Sequence, residues 1–169
     1  MRRILVWLGA GIVAIGATVA LLWLTTATAA RFEMDGDRLR VSGHLTLAST
    51  ERLDRLIEQN GDLAVLVLGE VSAAGDVTAL LQKGSLVRAA GLSTEVASDV
   101  TLQGDGVYLF LAGIERRLGD GASLAVTDWQ TQDGPASELL REHPAHAERL
   151  DYVTRILGAE DFYWFTLAA

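Results

Sequence analysis

The chain has 169 residues, half of them hydrophobic, a formal charge of −8 and no cysteine. That length suits one domain plus an N-terminal extension, and the lack of cysteine excludes disulfides, thiolate metal sites and a cysteine nucleophile. Every acidic residue follows position 30 while Arg2 and Arg3 precede it, so the body of the chain is more acidic than the total; this argues against nucleic acid as a partner and reads as a solvated acidic surface.

Residues 1–30 stand apart, because after Arg3 no charged residue occurs until Arg31. The run Ile4–Leu24 is long enough to cross the roughly 30 Å core of a bilayer as a helix, and longer than the roughly 7–15 residues of a signal-peptide core. It predicts an N-terminal membrane anchor. The small residues Ala27–Ala30 offer a cleavage site in the alternative reading as a signal peptide. Either way Arg2 and Arg3 stay in the cytoplasm. The expected location is the cell membrane, single-pass with the domain outside the cytoplasm (periplasmic), or the periplasm itself if the segment is cleaved.

Arg31–Arg38 is short and polar and reads as a linker to a domain over residues 39–169. In "LRVSGHLTL" the alternation of Leu39, Val41, Leu45 and Leu47 with Arg40, Ser42, His44 and Thr46 has strand period. Leu53, Leu56 and Ile57 fall at helical spacing, with Ser49 or Thr50 as cap and Asn60-Gly61 as stop. Leu63–Gly69 is a continuous apolar run, as expected of a buried parallel strand. Val77, Leu80, Leu81, Gly84 and Val87 predict a second helix and "LSTEVAS" another strand, giving a βαβ unit with a right-handed crossover. "GDGVYLFLAGIERRLG" reads as one helix with Arg116 and Arg117 near its C-terminal end. Ala122–Trp129 reads as a last strand, and the tail from Ala136 as helical with breaks at Pro144 and Gly158.

The stretch "GEVSAAGDVTALL" joins strand to helix through small residues. Such a turn lets a ligand approach the backbone near Gly75, at a helix start that favours negative charge. It is equally an ordinary connection with Asp76 as N-cap. Together, "VSAAGDVTALLQKGSLVRAAGLSTEV", "LQGDGVYLFLAG" and "GASLAVTDW" resemble the ClpP/crotonase-like superfamily, in particular bacterial exported ClpP-like proteins, over about 90 residues. The resemblance implies an α/β fold of repeated β-β-α units with a largely parallel sheet and a helical C-terminal tail. It also implies an oxyanion turn after the first strand, with Ser72 matching a family serine, Ala73 the proline, and Ala74 and Gly75 the two glycines. The family's nucleophile falls on Gly104, or on Asp105 after a one-residue shift, and its histidine on Thr127. Threonine is no general base near neutral pH, so the resemblance implies a degenerate serine peptidase-like site with a vestigial oxyanion turn at Ala74 and Gly75.

Other residues could carry chemistry. Ser98 with Lys83 would form a serine–lysine pair if burial lowered the lysine pKa, although Lys83 also suits an exposed helix face. Asp105 and Asp128 could act as paired carboxylates, or as a cap and a solvated loop residue. His143 and His146 lie three apart, but Pro144 interrupts the helix that would align them on a metal, which favours a surface loop. No cofactor and no metal are expected. Phe162, Tyr163, Trp164 and Phe165 cannot share one helix face, which suggests either core packing or a homo-oligomer contact. The expected function is a non-catalytic, anchored or exported domain that binds a peptide or protein segment at a strand edge beside the cleft. The alternatives are a serine hydrolase with a displaced site and a structural oligomer.

Overall fold

A computed structural model describes residues 30–73 and 77–168. Its centre is a five-stranded sheet in which β2 (Arg38–Leu45), β3 (Val65–Ala73), β4 (Ser93–Val96) and β6 (Arg116–Leu118) run parallel, with β1 (Arg31–Asp35) antiparallel on the β2 edge. The fold class is α/β with a mostly parallel sheet and C-terminal helices. A second, two-stranded parallel sheet pairs β5 (Thr101–Gln103) with β7 (Ser123–Ala125), and β8 (Gln130–Thr131) and β9 (Gly134–Pro135) close a small hairpin.

The crossovers between parallel strands are helical, as the pattern requires. α1 (Leu47–Gln59) follows β2, α2 (Val77–Ala89) follows β3, and α3 (Gly106–Leu111) follows β5. Alternation places Leu39, Val41 and Leu45 of β2 in the core, while β3 buries the consecutive Leu66, Val67 and Leu68 because it is covered on both faces. The cap of α1 is Thr46 rather than Ser49 or Thr50: Thr46 Oγ1 accepts from the Ser49 amide and Ser49 Oγ accepts from the Thr46 amide at 2.7 Å. This reciprocal box satisfies two donors at the helix start.

Three expectations change. Arg31–Asp35 is not a linker but an edge strand held by ladder bonds, and Phe32 is its one side chain packed on the core. The helix expected across "GDGVYLFLAGIERRLG" ends at Leu111, and Arg116–Leu118 joins the sheet as β6. The strand expected over Ala122–Trp129 shortens to β7. In the tail, α4 (Ala147–Leu157) stops at Gly158, whose φ of 78° ends the helix in the left-handed conformation. α5 (Asp161–Leu167) then completes the chain.

Two larger expectations are corrected. Among the described residues no helix is long and apolar enough to cross a membrane, so the membrane-anchored, single-pass topology and the periplasmic placement built on it have no support among them. Residues 4–24, on which that expectation rested, lie outside the described residues. The aromatic run of the tail does not present an oligomer surface either. Tyr163 is fully buried, Phe162 and Trp164 pack against the chain's own core, and of the four only Phe165 is exposed. The run resolves this way because Tyr163 and Trp164 close around the buried His146, with ring centroids 5.7 and 5.2 Å from it.

Candidate functional site

The parallel pairing of β5 with β7 sets Gln103 opposite Ala125, so the segments leaving both strands emerge at the same end. Gly104, with φ of 57°, and Asp105 follow β5; Thr127 follows β7. These three residues line one cavity of about 320 Å³, together with Val77, Tyr108, Trp129, Gln130 and Arg149. Among these lining residues there is no serine, cysteine or histidine.

Arg149 dominates its chemistry. The guanidinium carbon lies 3.8 Å from the Trp129 ring centroid, and Nη2 donates to Asp105 Oδ1 at 3.3 Å. The side chain is only 11% exposed, and its Nε is buried without a partner. A guanidinium carries five donors, so one long bond leaves most of them for a ligand. Burial pushes the Tyr108 phenol up to about 12, so it remains protonated through the neutral range. The cavity walls come from helices, loops and the two-residue strand β8, so an extended peptide finds no long strand edge here to pair with. That corrects the expected peptide or protein partner at this cleft.

The other sequence candidates are engaged separately. Ala74, Gly75 and Asp76, the proposed oxyanion turn and its cap, lie outside the described residues. Lys83 pairs with Asp54 of α1, whereas Ser98 lines a small cavity with Arg38 and Glu95, so the two are not brought together. Asp128 does not face Asp105 across the cavity. It accepts from Ser137 Oγ at 2.7 Å, from the Ser137 amide at 3.2 Å and from the Trp129 amide at 2.8 Å. His143 accepts from the Ala145 amide and lies 3.5 Å from Asp133. His146 is not on a surface loop: it is 1% exposed and its Nδ1 is 2.6 Å from the Tyr163 hydroxyl. Among the described residues no group of three or more His, Asp or Glu is placed to hold a metal ion.

A second cavity, of about 550 Å³, is lined by Gly43, His44, Glu70, Val71, Ser72, Asp99, Thr101 and Gln103. Within it His44 Nδ1 lies 2.5 Å from Ser72 Oγ. By alternation alone His44 falls on the polar side of a strand. Its contact with Ser72 depends on how β2 and β3 are aligned, which local pattern does not encode.

Neither a family model nor a curated protein sequence matches the chain. Solved structures do resemble it. An enoyl-CoA hydratase/isomerase from Marinobacter aquaeolei is similar with a TM-score of 0.51 and 13% identity, over 78% of this chain and 60% of that one. Pseudomonas aeruginosa PA4980 gives 0.50 and 14%, over 79% and 66%. The architecture is crotonase-like. The 1510-N membrane-bound stomatin-specific protease, in complex with a substrate peptide, is similar at 0.49 and 12%, over 70% and 57%. This chain therefore spans between about half and two thirds of the length of these structures, and at such identities the likeness is one of architecture alone.

Proposed function

We propose that the cavity between Gly104 and Thr127 is the site at which ClpP-like relatives keep serine and histidine, and that here it binds a small carboxylate-bearing ligand instead of cutting a bond. Glycine at 104 supplies no nucleophile, and threonine at 127 supplies no base near neutral pH. The observation that carries the reading is Arg149, a largely buried guanidinium held over the Trp129 ring by its central carbon at 3.8 Å, with one long bond to Asp105. The Nη groups, held by one bond of 3.3 Å to Asp105, offer a carboxylate a bidentate pair of donors. Asp105 neutralises part of the charge, which favours a ligand that also brings a donor for its carboxylate. The cavity volume is at the lower end of the range usual for small-molecule sites.

Titration with benzoate and with 4-aminobenzoate tests this, followed by tryptophan fluorescence and calorimetry. Saturable binding is expected, lost in Arg149→Gln, with the amine-bearing probe the tighter of the two. Equal binding by the parent chain and Arg149→Gln would remove Arg149 as the receptor. A fluorophosphonate label mapped to a residue of this cavity would overturn the non-catalytic reading.

A further inference from the structure

We infer that Ser72 is an activated nucleophile with His44 as its base, forming a second site, separate from the Gly104–Thr127 cavity, that hydrolyses uncharged or cationic carboxylic esters. The inference begins with the backbone. At the start of the pairing Val41 of β2 lies opposite Leu68 of β3, and continuing that register would set His44 opposite Val71. An irregularity between Val41 and Gly43 shifts the pairing by one residue, so that His44 lies opposite Ser72 instead. A one-residue shift moves a side chain to the other face of the partner strand's pattern, and bulges recur where a side chain must be re-aimed. Here the shift brings a hydroxyl and an imidazole together on the wall of the larger cavity.

The geometry meets the first requirement of nucleophilic catalysis, a nucleophile within hydrogen-bond reach of its base. At 2.5 Å between Ser72 Oγ and His44 Nδ1, the imidazole that carries its proton on Nε2 accepts the serine proton directly. A further feature lies on the same wall. Asp99 has a φ of 59° and is the non-glycine residue with positive φ among the described residues; such conformations cost about 1–3 kcal/mol and cluster at functional sites. The charged groups lining this cavity are Glu70 and Asp99, both acidic, with no lysine or arginine among its lining residues. Anionic acyl donors are therefore disfavoured, and neutral or cationic ones are admitted.

In the reaction Ser72 Oγ attacks the ester carbonyl carbon while its proton passes to His44 Nδ1. The carbon–oxygen bond to the alcohol breaks, and His44 returns the proton to the departing oxygen. Water then gives a proton to His44 and its oxygen to the acyl carbon, the bond to Ser72 breaks, and Ser72 recovers its proton. The sum is ester plus water to carboxylic acid plus alcohol.

The test uses the full chain with a fluorophosphonate label mapped by peptide mass spectrometry, and hydrolysis of 4-nitrophenyl esters whose acyl groups are cationic (4-trimethylammoniobutanoate), neutral (acetate) and anionic (succinate). Labelling of Ser72 is expected, with hydrolysis of the cationic and neutral esters exceeding that of the succinate at least tenfold. Ser72→Ala should abolish the label. His44→Gln can still hydrogen-bond to Ser72 but cannot serve as its base, and it should label at least tenfold more slowly with unchanged thermal melting. A folded parent chain unlabelled at Ser72, or a His44→Gln chain that labels at the parent rate, would overturn the assignment.

Discussion

The hydroxyl of Tyr152 on α4 occupies the space that a β-carbon at Gly84 on α2 would fill, and from there it donates to the backbone carbonyl of Tyr108 on α3 at 2.8 Å. Three helices are locked at one point. Gly84→Ala is expected to destabilise the fold by about 1–3 kcal/mol, the usual cost of overpacking. Tyr152→Phe should cost about 1 kcal/mol for the lost hydrogen bond. Because the hydroxyl is the atom an added methyl meets first, the double variant should be clearly more stable than the sum of the two costs. Urea unfolding of all four chains closes the cycle, and simple additivity would show that the two residues do not share the space.

Alkaline pH should weaken the same helix junction. Burial pushes the Tyr108 phenol up to about 12, with Arg149 opposing and Tyr163 and Asp105 adding to the rise, and it raises Tyr152 further still. The ordinary phenol value is 10.0. The unfolded chain therefore releases these protons where the folded chain retains them, so stability present below about pH 10 is lost as pH rises toward about 12. Tyr108→Phe should flatten that loss by an amount on the order of 2 kcal/mol. Urea midpoints at about pH 9 and about pH 11.5 supply the comparison; equal pH slopes in the variant and the parent would assign the loss to other groups.

Much of the parallel sheet was legible because its strands bury different amounts of their two faces. Alternation marked β2, the unbroken apolar run marked β3, and Gly158 marked the break between α4 and α5. The stretch after α3 was not legible, and the reason is physical. All six residues of α3 are buried, so no amphipathic period announces where the helix ends. It ends because Gly113 passes so close to β4 that an added β-carbon would lie 2.6 Å from the Thr94 amide nitrogen, and Thr94 then donates to the Glu115 carbonyl at 2.9 Å. Both contacts are long-range. The same holds for the two cavities: Gly104 and Thr127 could be placed together through the resemblance, whereas His44 and Ser72 meet through a register shift between strands, and Arg149 reaches Trp129 from a helix late in the chain.

Asp128 should prove structural. It accepts three hydrogen bonds that tie the exit of β7 to the turn at Ala136–Glu138. Asp128→Ala is expected to cost about 1 kcal/mol, within the range of lost caps, and Asp128→Asn less, since one side-chain oxygen can still accept. Neither change should alter labelling of Ser72. Thermal melting with fluorophosphonate kinetics distinguishes the two roles; slower labelling at unchanged stability would place Asp128 in chemistry.

Arg149 is expected to depend on its shape as well as its charge. Its guanidinium carbon lies over Trp129 at 3.8 Å from the ring centroid, while the bond to Asp105, at 3.3 Å, is longer than the 2.7–2.9 Å of a strong charge-assisted pair. Asp105 is partly exposed, and partly exposed ion pairs contribute about 0–1 kcal/mol. A guanidinium over an indole contributes about 0.5–2 kcal/mol when partly desolvated. Lysine keeps the charge but has neither the plane nor the fork. Arg149→Lys should therefore destabilise the fold by about 1 kcal/mol, and most of that cost should vanish in a Trp129→Leu background. Asp105→Asn should cost less, and the Arg149→Lys chain should lose benzoate binding at least tenfold. If the cost of Arg149→Lys is unchanged by Trp129→Leu but vanishes with Asp105→Asn, the ion pair rather than the stacked plane holds the arginine in the cavity.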